Sequence, residues 1–311
     1  MFGDTANMAF FDDDLEPEIR SGARGAPRWF EDALSSPVDC GDVLVAGVRI
    51  SYRGWGDRGQ RGLLLVHGGA AHARWWDHIA PFLATGRRVV AIDLSGHGDS
   101  GRRPCYSLDL WADELMAVVA DAGIAKPPII IGHSMGGFVT LRTASRFGDE
   151  IAGAITIDSP MRTITPEEEA AAQHKAFGPL RVYRDREEIL KRFRPIPDQY
   201  TLPYVRTYIA ETSIREVDGG WSWKFDPQIF GRASLPPALL TKLGCQVALF
   251  RAEHGLVSED MGDRMSDGLG LVAPVIEIPD SGHAIMLDQP LALVTAIRTL
   301  LAEWEHPLPE L

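Results

Sequence analysis

The chain of 311 residues has only three cysteines, Cys40, Cys105 and Cys245. They are too few and too scattered for a disulfide framework or a metal site. No apolar run approaches the ~20 residues that a membrane-spanning helix needs. Residues 1–16 are acidic and have neither the basic start nor the apolar middle of a secretory signal. We therefore expect a cytoplasmic protein without a membrane span.

The chain also has fewer basic than acidic residues, 31 against 43, which gives a net charge of −12. Such a balance argues against nucleic acid or an anionic membrane as a partner. The sequence has no H-E-x-x-H spacing, and its glycine-rich segment at 67–71 lacks the Gly-Lys-Ser/Thr of a phosphate-binding loop. We expect neither a metal nor a cofactor, and a small molecule as the partner. The sequence leaves the oligomeric state open.

Short apolar runs at 63–67, 88–93, 128–133 and 151–158 alternate with helical patterns such as 108–122. Continuous β-branched runs between helices are typical of a parallel sheet covered on both faces. The alternation stops after residue 160 and resumes with the apolar runs at 245–251 and 275–278 and a last helix at 290–303.

These patterns predict three regions. Residues 1–40 form an N-terminal extension, partly disordered, with one short helical turn near residues 29–34. Residues 41–160 and 236–311 form an α/β core whose central sheet is mostly parallel. Residues 161–235, rich in aromatics and charged helical stretches, form a mainly helical cap inserted after the sixth strand. Such an insertion lies over the carboxyl ends of the strands, where open parallel sheets bind ligands.

The segment 127–139 contains a buried strand, a sharp turn and a helix start. The turn carries G-x-S-x-G with Ser134 at its apex. A nucleophile presented on such a strained turn needs small neighbours, which Gly132 and Gly136 supply, and the N–H of Met135 points at the same space. The motif alone is weak evidence, but the strand before it and the helix after it match the required context. We interpret Ser134 as a nucleophile.

A serine hydroxyl needs a base to act as a nucleophile at neutral pH. His283 follows the last predicted strand, at the same sheet edge as Ser134, and is our choice among nine histidines. The base in turn needs an acid to hold its tautomer. Asp158 ends the sixth strand and Glu253 follows the seventh, and both open onto this edge. We favour Asp158, with Glu253 as the alternative.

An oxyanion formed during acyl transfer needs two N–H donors. Met135 supplies one by the geometry of the turn. The second is expected from the loop His67-Gly68-Gly69-Ala70-Ala71, where the absence of side chains lets a substrate approach closely. Gly69 is our choice for this donor, with Ala70 in reserve.

These residues resemble the α/β-hydrolase superfamily, in its lidded, esterase-like branch. The matching pieces are His67-Gly68-Gly69, the segment 93–100, the segment 132–137 and Ser281-Gly282-His283, in the expected order over residues 41–311. The resemblance implies Ser134 as nucleophile, His283 as base, and the backbone of Gly69 and Met135 as oxyanion hole. One feature departs from it. Most members carry the acid after the seventh strand, where Gly255 stands here, although some branches place it at the end of the sixth.

The leading hypothesis is a carboxylesterase-like serine hydrolase that cleaves a small or medium carboxylic ester through an acyl-enzyme. The same three residues could act on a lactone, an amide or a carbon–carbon bond, and nothing in the sequence separates these reactions. A third hypothesis is a non-catalytic ligand receptor or scaffold, which the paired presence of Ser134 and His283 argues against.

Overall fold

The computed structural model describes residues 25–161, 180–231, 243–269 and 273–305. Over these residues the strands, in chain order, are β1 (Asp39–Val45), β2 (Val48–Trp55), β3 (Arg61–Val66), β4 (Arg88–Ile92), β5 (Ala125–His133), β6 (Gly153–Ile157), β7 (Ile214–Val217), β8 (Gly220–Trp223), β9 (Gln246–His254) and β10 (Val275–Gly282). Eight of them form one sheet in the order β1-β2-β4-β3-β5-β6-β9-β10.

The sheet is parallel from β4 to β10, and only β1 and β2 run antiparallel to their neighbours. All five residues of β4 and of β6 are buried. A strand buried along its whole length needs cover on both faces of the sheet. The predicted mostly parallel, doubly covered sheet is therefore confirmed.

The helices, in chain order, are α1 (Arg28–Leu34), α2 (Ala80–Leu83), α3 (Leu108–Asp121), α4 (Met135–Phe147), α5 (Arg186–Lys191), α6 (Pro203–Thr212), α7 (Glu259–Gly268), α8 (Ile285–Asp288) and α9 (Pro290–Glu305). Helix α3 shows how the sequence specifies them. The Ser107 side chain caps its N-terminus by accepting from the Leu110 N–H at 3.2 Å. Trp111, Leu115 and Val118 recur at helical spacing and are all buried. None of the described helices combines the length and apolarity needed to cross a bilayer.

Of the predicted N-terminal extension, residues 1–24 lie outside the described residues. Residues 28–34 form α1, in which Phe30 is buried against His78 and Tyr204. Strand β1 begins at Asp39 and forms a hairpin with β2. The chain therefore packs on the core well before residue 41.

Residues 161–235, predicted as a cap, follow β6. Their described part contains α5, α6, a β7–β8 hairpin and a short 3₁₀ helix, Pro227–Gly231. The sequence pattern does not predict the hairpin, since each of its strands has only four residues. Residues 162–179 and 232–242 lie outside the described residues, and the exact domain boundaries remain a prediction.

This cap segment touches loops that leave the carboxyl ends of the core strands. The Tyr208 hydroxyl donates to Asp77 Oδ2 at 2.5 Å, beyond β3. Lys224 pairs with Asp99 at 2.8 Å, beyond β4. The segment thus lies over the edge of the sheet at which both β5 and β10 end.

Glycines allow β5, α4 and their neighbours to approach closely at this edge. A Cβ atom on Gly136 would lie 2.5 Å from the His67 carbonyl oxygen and 2.6 Å from that of Val66. A Cβ atom on Gly137 would collide with the Ser159 hydroxyl. Because the nearest atoms to Gly136 are backbone, they cannot move aside without shifting β3.

Replacing Gly136 by alanine is therefore expected to lower the free energy of unfolding by about 1–3 kcal/mol, the usual cost of overpacking. Urea denaturation followed by circular dichroism measures the change. Gly25→Ala is the control, because no atom lies within 4 Å of its Cβ position. Equal stability of the two variants would contradict the packing argument.

Candidate active site

Ser134 joins β5 to α4 with φ 51° and ψ −117°. A positive φ is strained for a residue that has a Cβ atom, and it persists only where the surroundings impose it. Here the Ser134 N–H donates to the Ile157 carbonyl at 2.9 Å, and the Ser134 carbonyl accepts from the Gly137 N–H at 3.0 Å. The backbone on both sides of the turn is thus held in place, and the half-buried side chain projects from its apex.

His283 follows β10 and is 5% exposed. Its Nδ1 lies 2.7 Å from Asp158 Oδ2, so Nδ1 carries the proton and Nε2 is left to accept one. The carbonyl of His283 accepts a hydrogen bond from His133 Nε2 at 2.9 Å, and the two rings lie 4.7 Å apart between centroids. Because His133 is the residue before Ser134, the structure brings His283 against the nucleophile turn.

Asp158 directly follows β6, is fully buried and has a φ of 43°. Besides His283, its carboxylate accepts from the N–H groups of Leu256 at 2.7 Å, Val257 at 3.2 Å and Ala252 at 3.3 Å. These donors belong to β9 and the loop after it. The acid therefore begins on one strand and reaches into the loop that follows the next.

The buried carboxylate stays ionised because of these contacts. Burial alone would raise the pKa of Asp158, but the hydrogen bond and the charge of His283, with the N–H groups of Leu256 and Ala252, hold that pKa below its ordinary value. The ionised carboxylate is therefore available to accept the hydrogen bond from His283 Nδ1.

Gly255 explains why the acid can occupy this place. A Cβ atom at position 255 would come within 2.6 Å of the Asp158 Cγ. A side chain at position 255 would therefore occupy the space of the Asp158 carboxylate. The pairing of an aspartate after the sixth strand with a glycine in this loop is the signal in the sequence that favours Asp158.

The structure does not bring Glu253 to His283. Its exposed carboxylate accepts from the Asp280 N–H at 2.8 Å. Among the described residues, Glu253, His254 and Asp280 form the one group of metal-ligating side chains with donor atoms within 4.8 Å of one another. All three are exposed, and exposed acidic groups commonly cluster in this way without a metal ion.

The loop that carries Gly69 lies close to Met135 and Ser134. Met135 is the first residue of α4, where the N–H has no acceptor within the helix. A Cβ atom at Gly69 would lie 3.8 Å from the Met135 Sδ, and one at Gly68 would lie 3.3 Å from the Ser134 Cβ. The loop after β3 therefore runs directly past the nucleophile, although the role of its N–H groups remains a prediction.

His67 supports this loop. Burial lowers the pKa of His67 to about 4, so the ring is neutral at pH 7. Its Nδ1 donates to the Gly68 carbonyl at 2.7 Å, and its Nε2 accepts from the Leu94 N–H at 3.1 Å. Both ring nitrogens are thus used to fix the glycine loop.

A cavity of about 250 Å³ lies elsewhere, between the β1–β2 hairpin, the loops after β3 and β4, and Lys224. Its lining includes none of Ser134, Asp158 and His283. Arg53, Arg74 and Lys224 face it, and each has an aspartate partner within 3.7 Å. We assign no role in the chemistry to this cavity.

Two residues missed by the sequence analysis contact the backbone on either side of His283. Asp288 Oδ2 accepts from the Gly282 N–H at 2.6 Å, and Gln199 Oε1 accepts from the Ala284 N–H at 2.7 Å. Asp288 is close to His283 in the sequence, five residues after it, so its proximity could have been considered from the sequence. Gln199 comes from a segment without periodicity, and no sequence signal predicts its contact.

A model of the α/β hydrolase family matches residues 63–297. An esterase of Mycobacterium tuberculosis is 24% identical over 86% of this chain and 91% of that protein. A monoacylglycerol lipase of Mycolicibacterium smegmatis is 36% identical over 36% of this chain and 42% of its own length. The solved thioesterase domain of a curacin biosynthetic pathway superposes with a TM-score of 0.71 at 21% identity, covering 85% of this chain and all of that one.

We expect Asp158→Asn to slow the reaction of Ser134 with a fluorophosphonate probe by a factor on the order of 10³–10⁴. An asparagine amide can donate to Nδ1 and stabilise the tautomer in which Nε2 cannot accept a proton. The measurement is the labelling rate by mass spectrometry. Glu253→Gln is the matched control and is expected to keep the parent rate. A larger loss in the control than in Asp158→Asn would reverse the assignment of the acid.

Proposed function

Because this chain belongs to the α/β hydrolase family, we propose that it is a serine hydrolase that cleaves small or medium carboxylic esters through an acyl-enzyme. The observation that carries the proposal is the 2.7 Å hydrogen bond between His283 and a fully buried Asp158, set against the strained turn that bears Ser134. A base with a fixed tautomer close to a serine hydroxyl is the arrangement that nucleophilic acyl transfer requires.

In the first half of the reaction, the Ser134 Oγ attacks the ester carbonyl carbon while His283 Nε2 accepts the hydroxyl proton. The carbonyl oxygen becomes an oxyanion that accepts from the N–H groups of Met135 and Gly69. Collapse of this intermediate breaks the bond to the alcohol oxygen. The alcohol leaves with the proton held by His283, and the acyl group stays on Ser134.

In the second half of the reaction, water is the attacking group and the Ser134 oxygen is the leaving group. His283 takes a proton from a water molecule, whose oxygen attacks the acyl carbon. The second oxyanion occupies the same two N–H groups. When it collapses, Ser134 recovers its proton from His283, and the carboxylic acid is released. Asp158 stabilises the charged imidazole in both halves and keeps Nε2 directed at the reacting atoms.

The choice of an ester bond is supported by the relatives. Relatives that align over most of this chain include the esterase of Mycobacterium tuberculosis and a diacylglycerol lipase of Danio rerio, the latter 25% identical over 77% of this chain. Apart from the ester and a water molecule, the proposed reaction uses only side chains and backbone of this protein and so requires no cofactor.

Phe230 supports a limit on acyl size. This half-buried residue of the cap segment places its Cε1 3.1 Å from the Cβ position of Gly69, directly beside the expected oxyanion site. Its ring also contacts Phe225, at 6.2 Å between centroids. A ring in this position restricts the space that a long acyl chain would use, which favours small or medium esters.

The test is a series of p-nitrophenyl esters from acetate to decanoate. We expect a maximum of kcat/KM at a short or medium chain and loss of turnover in Ser134→Ala. Turnover that survives in Ser134→Ala would overturn the role of the serine. Absence of any Ser134-dependent rate would shift the function to a lactone, an amide, a carbon–carbon bond or ligand binding.

Phe230→Ala is expected to move the optimum of that series toward longer acyl chains, because removing the ring opens space beside Gly69. The measurement is kcat/KM across the same esters. Leu44→Ala serves as control, since Leu44 is 73% exposed on the edge strand β1. An unchanged optimum in Phe230→Ala would place the acyl group elsewhere.

A further inference from the structure

Side chains make hydrogen bonds to the backbone around His283 as well as to its ring. The peptide groups of Gly282, His283 and Ala284 each make a hydrogen bond to a side chain from another part of the fold. His133, from the nucleophile turn, supplies the middle one. The other two involve Asp288 and Gln199, to which the proposed reaction assigns no role.

Gln199 uses every hydrogen-bonding atom of its amide on this loop. Its Oε1 accepts from the Ala284 N–H at 2.7 Å. Its Nε2 donates to Asp288 Oδ2 at 2.8 Å and to the Ala284 carbonyl at 3.3 Å. The amide group also packs on Gly282, where a Cβ atom would lie 2.8 Å from the Gln199 Cδ. One side chain therefore spans the residues before and after the base.

Asp288 links the two halves of this contact. Its Oδ2 accepts from the Gly282 N–H at 2.6 Å and from Gln199. The residue ends α8 and is 8% exposed. Burial raises the pKa of its carboxyl to about 6. Burying a carboxylate whose one side-chain partner is a neutral amide costs free energy. We therefore expect the carboxylate of Asp288 to have a specific role at this place.

Gln199 lies between α5 and α6, in the cap segment rather than in the core. A second tie runs beside it, in which the Leu202 N–H donates to the Leu287 carbonyl at 2.9 Å. The segment that follows His283 is consequently hydrogen-bonded to the cap segment at two residues, Ala284 and Leu287. Displacement of Gln199 would release Ala284 and Asp288 together.

We propose that Gln199 and Asp288 are positioning residues that set the placement of His283, and that they couple this base to the cap segment. The inference rests on the proposed function for its kinetic consequences but not for its geometry. Neither residue contacts the ring. They act by holding the Cα atom of His283, from which the ring must reach Ser134 and Asp158 at once. A shift of about 1 Å in a reacting group can cost ~100-fold in rate.

The kinetic test compares Gln199→Ala, Asp288→Ala and Asp288→Asn on the best p-nitrophenyl ester. Both alanine variants are expected to lower kcat by ~10- to 100-fold with KM nearly unchanged. Asp288→Asn is expected to stay near the parent, because the asparagine oxygen can still accept from Gly282 and Gln199. Tyr200→Ala is the matched control, since Tyr200 adjoins Gln199 and is 71% exposed. Thermal melting confirms that each variant is folded.

A second readout needs no substrate. A proton shared between histidine Nδ1 and a buried aspartate gives a separate, far-downfield proton resonance in NMR spectra. We expect this resonance in the parent, in Tyr200→Ala and in Asp288→Asn, and its loss or broadening in Gln199→Ala. The result identifies a disturbed His283 even if the protein hydrolyses no ester.

The two proposals can fail separately. If the parent has no Ser134-dependent turnover, the proposed function fails, while loss of the resonance in Gln199→Ala still supports positioning. A folded Gln199→Ala with parent kcat and an unchanged resonance would overturn the inference. A rise in KM alone would do the same, since it would make Gln199 a substrate contact.

Discussion

Asp158 follows β6 and His283 follows β10, and these two strands are not neighbours, because β9 lies between them. The 2.7 Å hydrogen bond between their side chains therefore dictates the local architecture. The carboxylate must pass over the end of β9, so the loop there needs Gly255 and must turn its N–H groups inward. Burial of the charge is tolerated because Ala252, Leu256 and Val257 donate to it.

The same constraint accounts for strain at two strand ends. Ser134 and Asp158 both have positive φ, at 51° and 43°, a conformation that costs of order 1–3 kcal/mol for such residues. Each is secured by the strand beside it, through Ser134 N–H to Ile157 and Asp158 N–H to Phe250, at 2.9 and 2.7 Å. These bonds continue the ladder across β5, β6 and β9 beyond the strands themselves. Ser134 and Asp158 are thus placed by one row of backbone contacts.

Much of this arrangement can be predicted from the sequence, since buried strands and a G-x-S-x-G turn are local patterns. The parallel sheet and the positions of Ser134 and His283 at one edge follow from them. The choice between Asp158 and Glu253 is harder, because both acids open onto that edge and only the path of the loop at Gly255 separates them. Gln199 could not be found at all. Its contact with Ala284 spans 85 residues and depends on the fold of an irregular segment, which no periodicity encodes.

The neighbouring histidine completes the electrostatic argument. Burial, and then the charge of His283, lower the pKa of His133 to about 3, so this ring stays neutral when His283 takes up a proton. His133 can therefore keep donating to the His283 carbonyl throughout a reaction cycle. The ring of His283 is hydrogen-bonded to Asp158, its carbonyl to His133 before the turn at Ser134, and the next residue, Ala284, to Gln199 of the cap segment. A displacement of Gln199 would consequently act on His283 through the backbone of Ala284 and not through the ring.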